Sequence, residues 1–176
     1  MNNLPQNENA AVAERLVFSR SFNAPLALVF EAFTRQEHLR HWWTPAGCSM
    51  KYCTLDLRPG GQFHYCQVLP NGQEMWGRLV YTQIVPPDLL EFIVSFSDKD
   101  GNISTHPLMP DWPAEILSTV RFEEKAGITT IQMTSYPINA SDRELEIFKK
   151  GKPSVHAGTE GTMRQLEAYL HTLEQS

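Results

Sequence analysis

Cysteine is scarce in this sequence: Cys48, Cys53 and Cys66 are the only three among 176 residues. The number is odd, and no Cys-x-x-Cys pair has a second pair downstream. Neither a disulfide framework nor a thiolate zinc site is therefore expected, and a reducing cytoplasm is the expected compartment. An excess of positive charge is also missing. Lys and Arg number 15 against 20 Asp and Glu, a formal charge of -5, which argues against a nucleic-acid binder's basic stripe and a polybasic membrane-seeking segment. No stretch approaches the roughly 18 apolar residues of a membrane span, and the opening MNNLPQNENAAVAE has neither the basic nor the apolar region of a secretory leader. His38, His41, His64, His106, His156 and His171 fall into no ligand or nucleophile motif, so no metal, cofactor or catalytic residue is assigned. Internal repeats and low-complexity tracts are absent.

What the chain does have is the length of one ordinary domain and enough apolar residues for a core of its own. Residues 1–12, rich in Asn and Gln, read as a flexible polar tail, and residues 13–176 as a single domain. ERLVFSRSF, from Glu14 to Phe22, alternates as a half-buried strand does. After Pro25, Leu26, Val29, Phe30 and Phe33 recur at helical spacing, and Thr34 with Glu37 predicts a capping box that starts a second short helix. Strand-like segments follow at about 49–57, 62–69, 74–85, 88–97, 115–124 and 127–136. Short turns such as Pro59-Gly60-Gly61, Pro70-Asn71-Gly72 and Pro86-Pro87 separate them.

Between Asp98 and Pro113 the connection is longer than a hairpin needs and holds three prolines, so it reads as a crossing loop or a lid. Ser141 with Glu144 predicts another capping box, opening a short helix that ends near Gly151. From Ser154 to Glu174, Thr159, Met163, Leu166, Leu170 and Leu173 keep one face of a long amphipathic helix. Gly158 and Gly161 within it suggest a close backbone approach. The order predicts an α+β fold: a curved antiparallel sheet of six to seven strands wrapped around a long C-terminal helix, with two short helices after strand one. Such an arrangement can leave a cavity between sheet and helix.

The motifs HWWTPAGC, DLRPGGQF, PNGQEMWGRLVYTQIVPPDLLEF, WPAEILSTVRFEEKAGITTIQM and GTEGTMRQLEAYL arrive in an order that resembles the START-like superfamily of helix-grip proteins. Within it, the family named for the activator of the heat-shock-protein-90 ATPase is the most similar, over about residues 14–173. The resemblance implies the helix-grip fold. It leaves function open, because that superfamily includes lipid carriers, hormone receptors, polyketide cyclases and co-chaperone domains.

Candidate site residues follow from the aromatic and methionine positions. Trp42 and Trp43 are adjacent at a helix exit and point in different directions, one toward the core and one toward a cavity mouth or the surface. Phe63 and Tyr65 share one sheet face while His64 and Cys66 share the other. With Trp76, Phe92, Trp112, Met133 and Met163, these residues are the expected ligand-binding set. Three functions are expected from this reading: binding of a small apolar or aromatic molecule, a chaperone as partner of a co-chaperone-like domain, or a polyketide cyclase-like enzyme. The last would use His64, Tyr65 or Glu91. The first is preferred, in a monomer or a homodimer, and it requires no catalysis.

Overall fold

A computed structural model describes residues 12–175. The expected polar tail lies, apart from Val12, outside the described residues. The elements are β1 (Leu16–Phe22), α1 (Leu26–Thr34), α2 (Gln36–Trp42), β2 (Ser49–Leu55), β3 (Gln62–Val68), β4 (Glu74–Val85), β5 (Leu89–Phe96), β6 (Ile116–Lys125), β7 (Ile128–Pro137) and α3 (Asp142–Glu174). Strands β2 to β7 run as an antiparallel meander. β1 joins beyond β7, so the curved sheet has the order β1-β7-β6-β5-β4-β3-β2. The architecture is the expected α+β helix grip, with seven strands.

Because β1 and β2 are opposite edges of this sheet, the chain between them must traverse its full width, and α1 and α2 make that crossing over the concave face. α1 has no capping side chain of its own. The Glu124 carboxylate, at the far end of β6, accepts the Leu26 N–H at 2.7 Å and supplies both an acceptor and a negative charge at the helix start. The expected Thr34–Glu37 box does not form. Thr34 is still helical, in the last turn of α1, and its hydroxyl donates back to the Phe30 carbonyl at 2.7 Å. Extended Arg35 separates the two helices instead. Trp42, at the end of α2, has 0% exposure and donates its indole N–H to the Ala32 carbonyl at 2.9 Å. It therefore closes the α1–α2 corner with both packing and a satisfied polar group.

The final helix is one continuous run of 33 residues, about 50 Å long at 1.5 Å per residue. Its start is the predicted capping box, with Ser141 accepting from the Glu144 N–H and Glu144 from the Ser141 N–H. The expected break between Gly151 and Ser154 is absent, and Pro153 sits inside the helix. Proline disfavours that position, but tertiary contacts hold the turn before it, and His156 just after it packs on Phe18. Phe148 packs on Trp112, and Lys149 and Lys152 both bridge to Glu14.

Further along α3, Met163, Leu166 and Leu170 are buried against the sheet and the two short helices. The His38 ring and the Tyr169 hydroxyl meet at 2.8 Å, and His41 stacks on the Tyr169 ring. On the opposite flank, Arg20 of β1 bridges to Glu160 and Glu167 at 2.5 Å each.

Trp42→Ala should cost about 3–5 kcal/mol, the range for truncating a buried large aromatic, and should leave the Ala32 carbonyl without its donor. Denaturant unfolding of the variant, showing a lower midpoint at an unchanged slope, checks this.

Candidate functional site: a cavity under the long helix

α3 meets the sheet differently along its length. Beyond Met163 it is sealed by buried Leu166 and Leu170, whereas the stretch from Phe148 to Met163 spans an open space of about 390 Å³. The floor is the concave sheet face: Tyr65 and Gln67 from β3, Phe92, Val94 and Phe96 from β5, Ile116 and Ser118 from β6, and Met133 and Ser135 from β7. Strand alternation brings these side chains to one face, since every second residue of each strand points toward α3. The roof is Phe148, Val155, Gly158, Thr159, Thr162 and Met163 of the helix. Pro45 and Gly158 line this space and are also exposed, which puts its mouth between the turn after α2 and one flank of α3.

An aromatic chain connects the core to this space. From Phe122 it passes through Phe33, Trp42, Trp43 and Phe63 to Tyr65, with ring centroids 4.8 to 5.5 Å apart. Trp42 ends in the core, and Trp43 faces the cavity. The Tyr65 ring lies flat on β4 because residue 77 is glycine: a Cβ there would come within 2.5 Å of the Tyr65 hydroxyl. Burial pushes the Tyr65 phenol above its ordinary value, opposed in smaller part by the Trp43 indole. The phenol is thus a proton donor at neutral pH.

The polar lining is neutral throughout: Tyr65, Gln67, Ser118, Ser135, Thr159 and Thr162. Ser118 and Ser135 face each other in the β6–β7 register, both buried, with their oxygens 2.8 Å apart. Thr159 and Thr162 donate to the Val155 and Gly158 carbonyls of their own helix.

A smaller space of about 120 Å³ adjoins the first and shares Tyr65, Gln67, Val94, Phe96 and Ile116 with it. Trp112 and Pro113 close it. This is where the long 98–113 loop comes to rest, and the loop is anchored at both ends. Asp98 accepts from the Asp100 and Asn102 N–H groups and its carbonyl meets His64 Nε2 at 3.1 Å, while the Gly101 carbonyl accepts from Arg78. Trp112 fits against Gly151, where a Cβ would lie 2.7 Å from the indole ring, and Asp111 pairs with Arg143. Between these anchors His106 packs on Phe96, and its Nδ1 accepts the N–H groups of Leu108 and Met109 at 3.0 and 3.2 Å. Burial holds the His106 imidazole below its usual 6.5.

The family described as Activator of Hsp90 ATPase homolog 1-like protein matches residues 23–171. The chain belongs to that family. Solved structures with the same fold include protein Ms6760 from Mycobacterium smegmatis, 25% identical with a TM-score of 0.72 and 88% of each chain covered. Protein NE0264 from Nitrosomonas europaea is 23% identical, with a TM-score of 0.72 and coverage of 93% of this chain and 99% of its own. A protein from Arthrobacter aurescens is 22% identical, with a TM-score of 0.74 and coverage of 92% and 87%. No curated protein sequence matches. No helix among the described residues is long and apolar enough to cross a membrane.

In this member of the activator-homologue family, the structure gathers Trp43, Tyr65, Phe92, Met133 and Met163 around the larger space, and Trp112 closes the smaller one. Trp42 and Phe63 do not line either, because both are wholly enclosed by the aromatic chain. Trp76 borders the smaller space from the sheet. Its ring, however, lies on the face away from α3, against His64 and Tyr52, since Trp76 pairs with Cys66 and Gly77 with Tyr65. Gln67, Phe148, Thr159 and the serine pair escaped sequence reasoning. The alternation Ile116-Ser118-Val120 and Ile131-Met133-Ser135 placed both hydroxyls on an inward row and was the available signal. The close approach expected at Gly158 and Gly161 occurs at Gly151 instead, for a Cβ at either of the other two would meet nothing within 4 Å.

Two outcomes follow from this family member's geometry. Gly77→Ala should lift the Tyr65 ring off β4 and destabilise the fold by about 1–3 kcal/mol, as overpacking does, measured by chemical denaturation. His106 has a folded pKa below its unfolded one, so its contribution to stability is full above about 6.5 and is lost as pH falls through the folded value. Melting curves from roughly pH 8 to 5 should therefore decline more for the wild type than for His106→Gln.

Proposed function

We propose that the protein binds a small apolar or aromatic molecule between the sheet and the stretch of α3 from Phe148 to Met163. The observation that carries this reading is the cavity of about 390 Å³, open at Pro45 and Gly158 and lined by Trp43, Phe92, Met133 and Met163. An unfilled apolar space of this size is of the order used for small ligands. Met133 and Met163 give the wall shape tolerance, and the Tyr65 ring offers a flat face. Three unpaired thiols, one of them only partly buried, fit residence in a reducing cytoplasm.

The enzyme reading has less support. Of His64, Tyr65 and Glu91, only Tyr65 lines the cavity. His64 lies under the Asp98 turn, and Glu91 accepts the Thr82 and Thr119 hydroxyls on the outer face. A lone protonated phenol can orient a carbonyl, but among the described residues it has no base beside it. The chaperone-partner reading finds support in the family description alone.

Native mass spectrometry of the protein purified from its host should reveal a co-purifying small molecule. In vitro, N-phenylnaphthylamine should brighten on binding. Thr159→Phe, which fills the space from the helix side, should abolish that signal while the circular dichroism spectrum stays that of the wild type. Equal brightening in the two proteins would overturn the reading.

A further inference from the structure

We infer that the cavity selects uncharged ligands carrying a hydrogen-bond acceptor oxygen, and that the Ser118–Ser135 pair reads that oxygen. The inference rests on the ligand-binding reading above and specifies what would be bound.

Two observations carry it. The first is charge: among the described residues, none of the side chains around the larger or the adjoining space is ionic. Arg20, on the strand that contributes Leu16 to the lining, is held outside by Glu160 and Glu167. Lys149 and Lys152 are held by Glu14, and Arg143 by Asp111. A ligand carboxylate or ammonium entering this space would give up its hydration with no counter-charge, which the low-dielectric interior penalises heavily.

The second observation is an imbalance of donors. Two facing hydroxyls hold two protons, and their mutual bond of 2.8 Å uses one. Whichever serine accepts keeps a buried proton for which the described residues provide no acceptor. Tyr65 is in the same position, since its phenol proton is retained and finds no carbonyl or carboxylate among the described residues. The threonines of the roof are different: Thr159 and Thr162 direct their protons into their own helix. The spare donors are therefore on the sheet side, facing a space otherwise lined by carbon. A ketone, ester, ether or hydroxyl oxygen on an apolar ligand would complete them, and a pure hydrocarbon of the same shape would leave them unmet.

The test is displacement of N-phenylnaphthylamine from the full chain by three compounds of nearly one shape: diphenylmethane, benzophenone and para-benzoylbenzoate, at a pH where the last is ionised. Benzophenone should compete about tenfold better than diphenylmethane, the effect of one buried hydrogen bond. Para-benzoylbenzoate should be the weakest of the three. In Ser118→Ala/Ser135→Ala, which replaces both partners and so leaves neither unpaired, the ratio between benzophenone and diphenylmethane should shrink several-fold. Equal competition by ketone and hydrocarbon in the wild type overturns the acceptor rule, and equal competition by benzophenone and its carboxylate overturns the charge rule. Either result, with the probe bound, leaves the ligand-binding reading standing. Failure of the probe itself to bind removes both.

Discussion

The seating of the second half of α3 is the contact on which the rest of the structure depends. Met163, Leu166 and Leu170 meet the concave sheet just where α1 and α2 cross it, so three layers converge there. The sheet curves, and a straight helix can touch a curved surface closely over only part of its length. Once Leu166, Leu170 and the Tyr169 contacts fix the end of α3, the stretch from Phe148 to Met163 must stand away from the strands. The cavity is thus the geometric remainder of good packing elsewhere.

That division explains which features the sequence made visible. The strands were legible because alternation is a local property, and the turns because Pro-Gly-Gly and Pro-Asn-Gly act through their own backbone preferences. The Ser141 box was legible for the same reason. Thr34 was misleading because one hydroxyl has two local partners within reach, and the choice depends on whether its own residue is already helical. Pro153 misled in the opposite direction. Its local effect is real, but Phe148, Lys149 and Lys152 are held by residues far away in sequence, and those contacts are invisible in a reading confined to a short window.

The site itself was half legible. Trp43, Tyr65, Phe92, Met133 and Met163 stood out as large or deformable side chains on amphipathic elements. Trp76 has the same chemistry, yet one residue of register puts its ring on the other face. The serine pair went unnoticed because small hydroxyl residues carry no strong pattern, and their significance appears only when β6 and β7 bring them face to face. Trp42 and Trp43 show the same lesson at its smallest scale. They are neighbours in sequence, but one supplies structure and the other surface, because a helix ends between them.

The notch at Gly151 has a further consequence. Trp112 rests against the helix backbone itself, so the loop end and the helix are held in contact by an aromatic ring and an absent side chain. Position 151 can gain bulk only if position 112 loses it, and a smaller residue at 112 would enlarge the space that Trp112 closes. The two positions therefore form a single size determinant split between distant parts of the chain: paired substitutions there would change the extent of the smaller space without altering any strand.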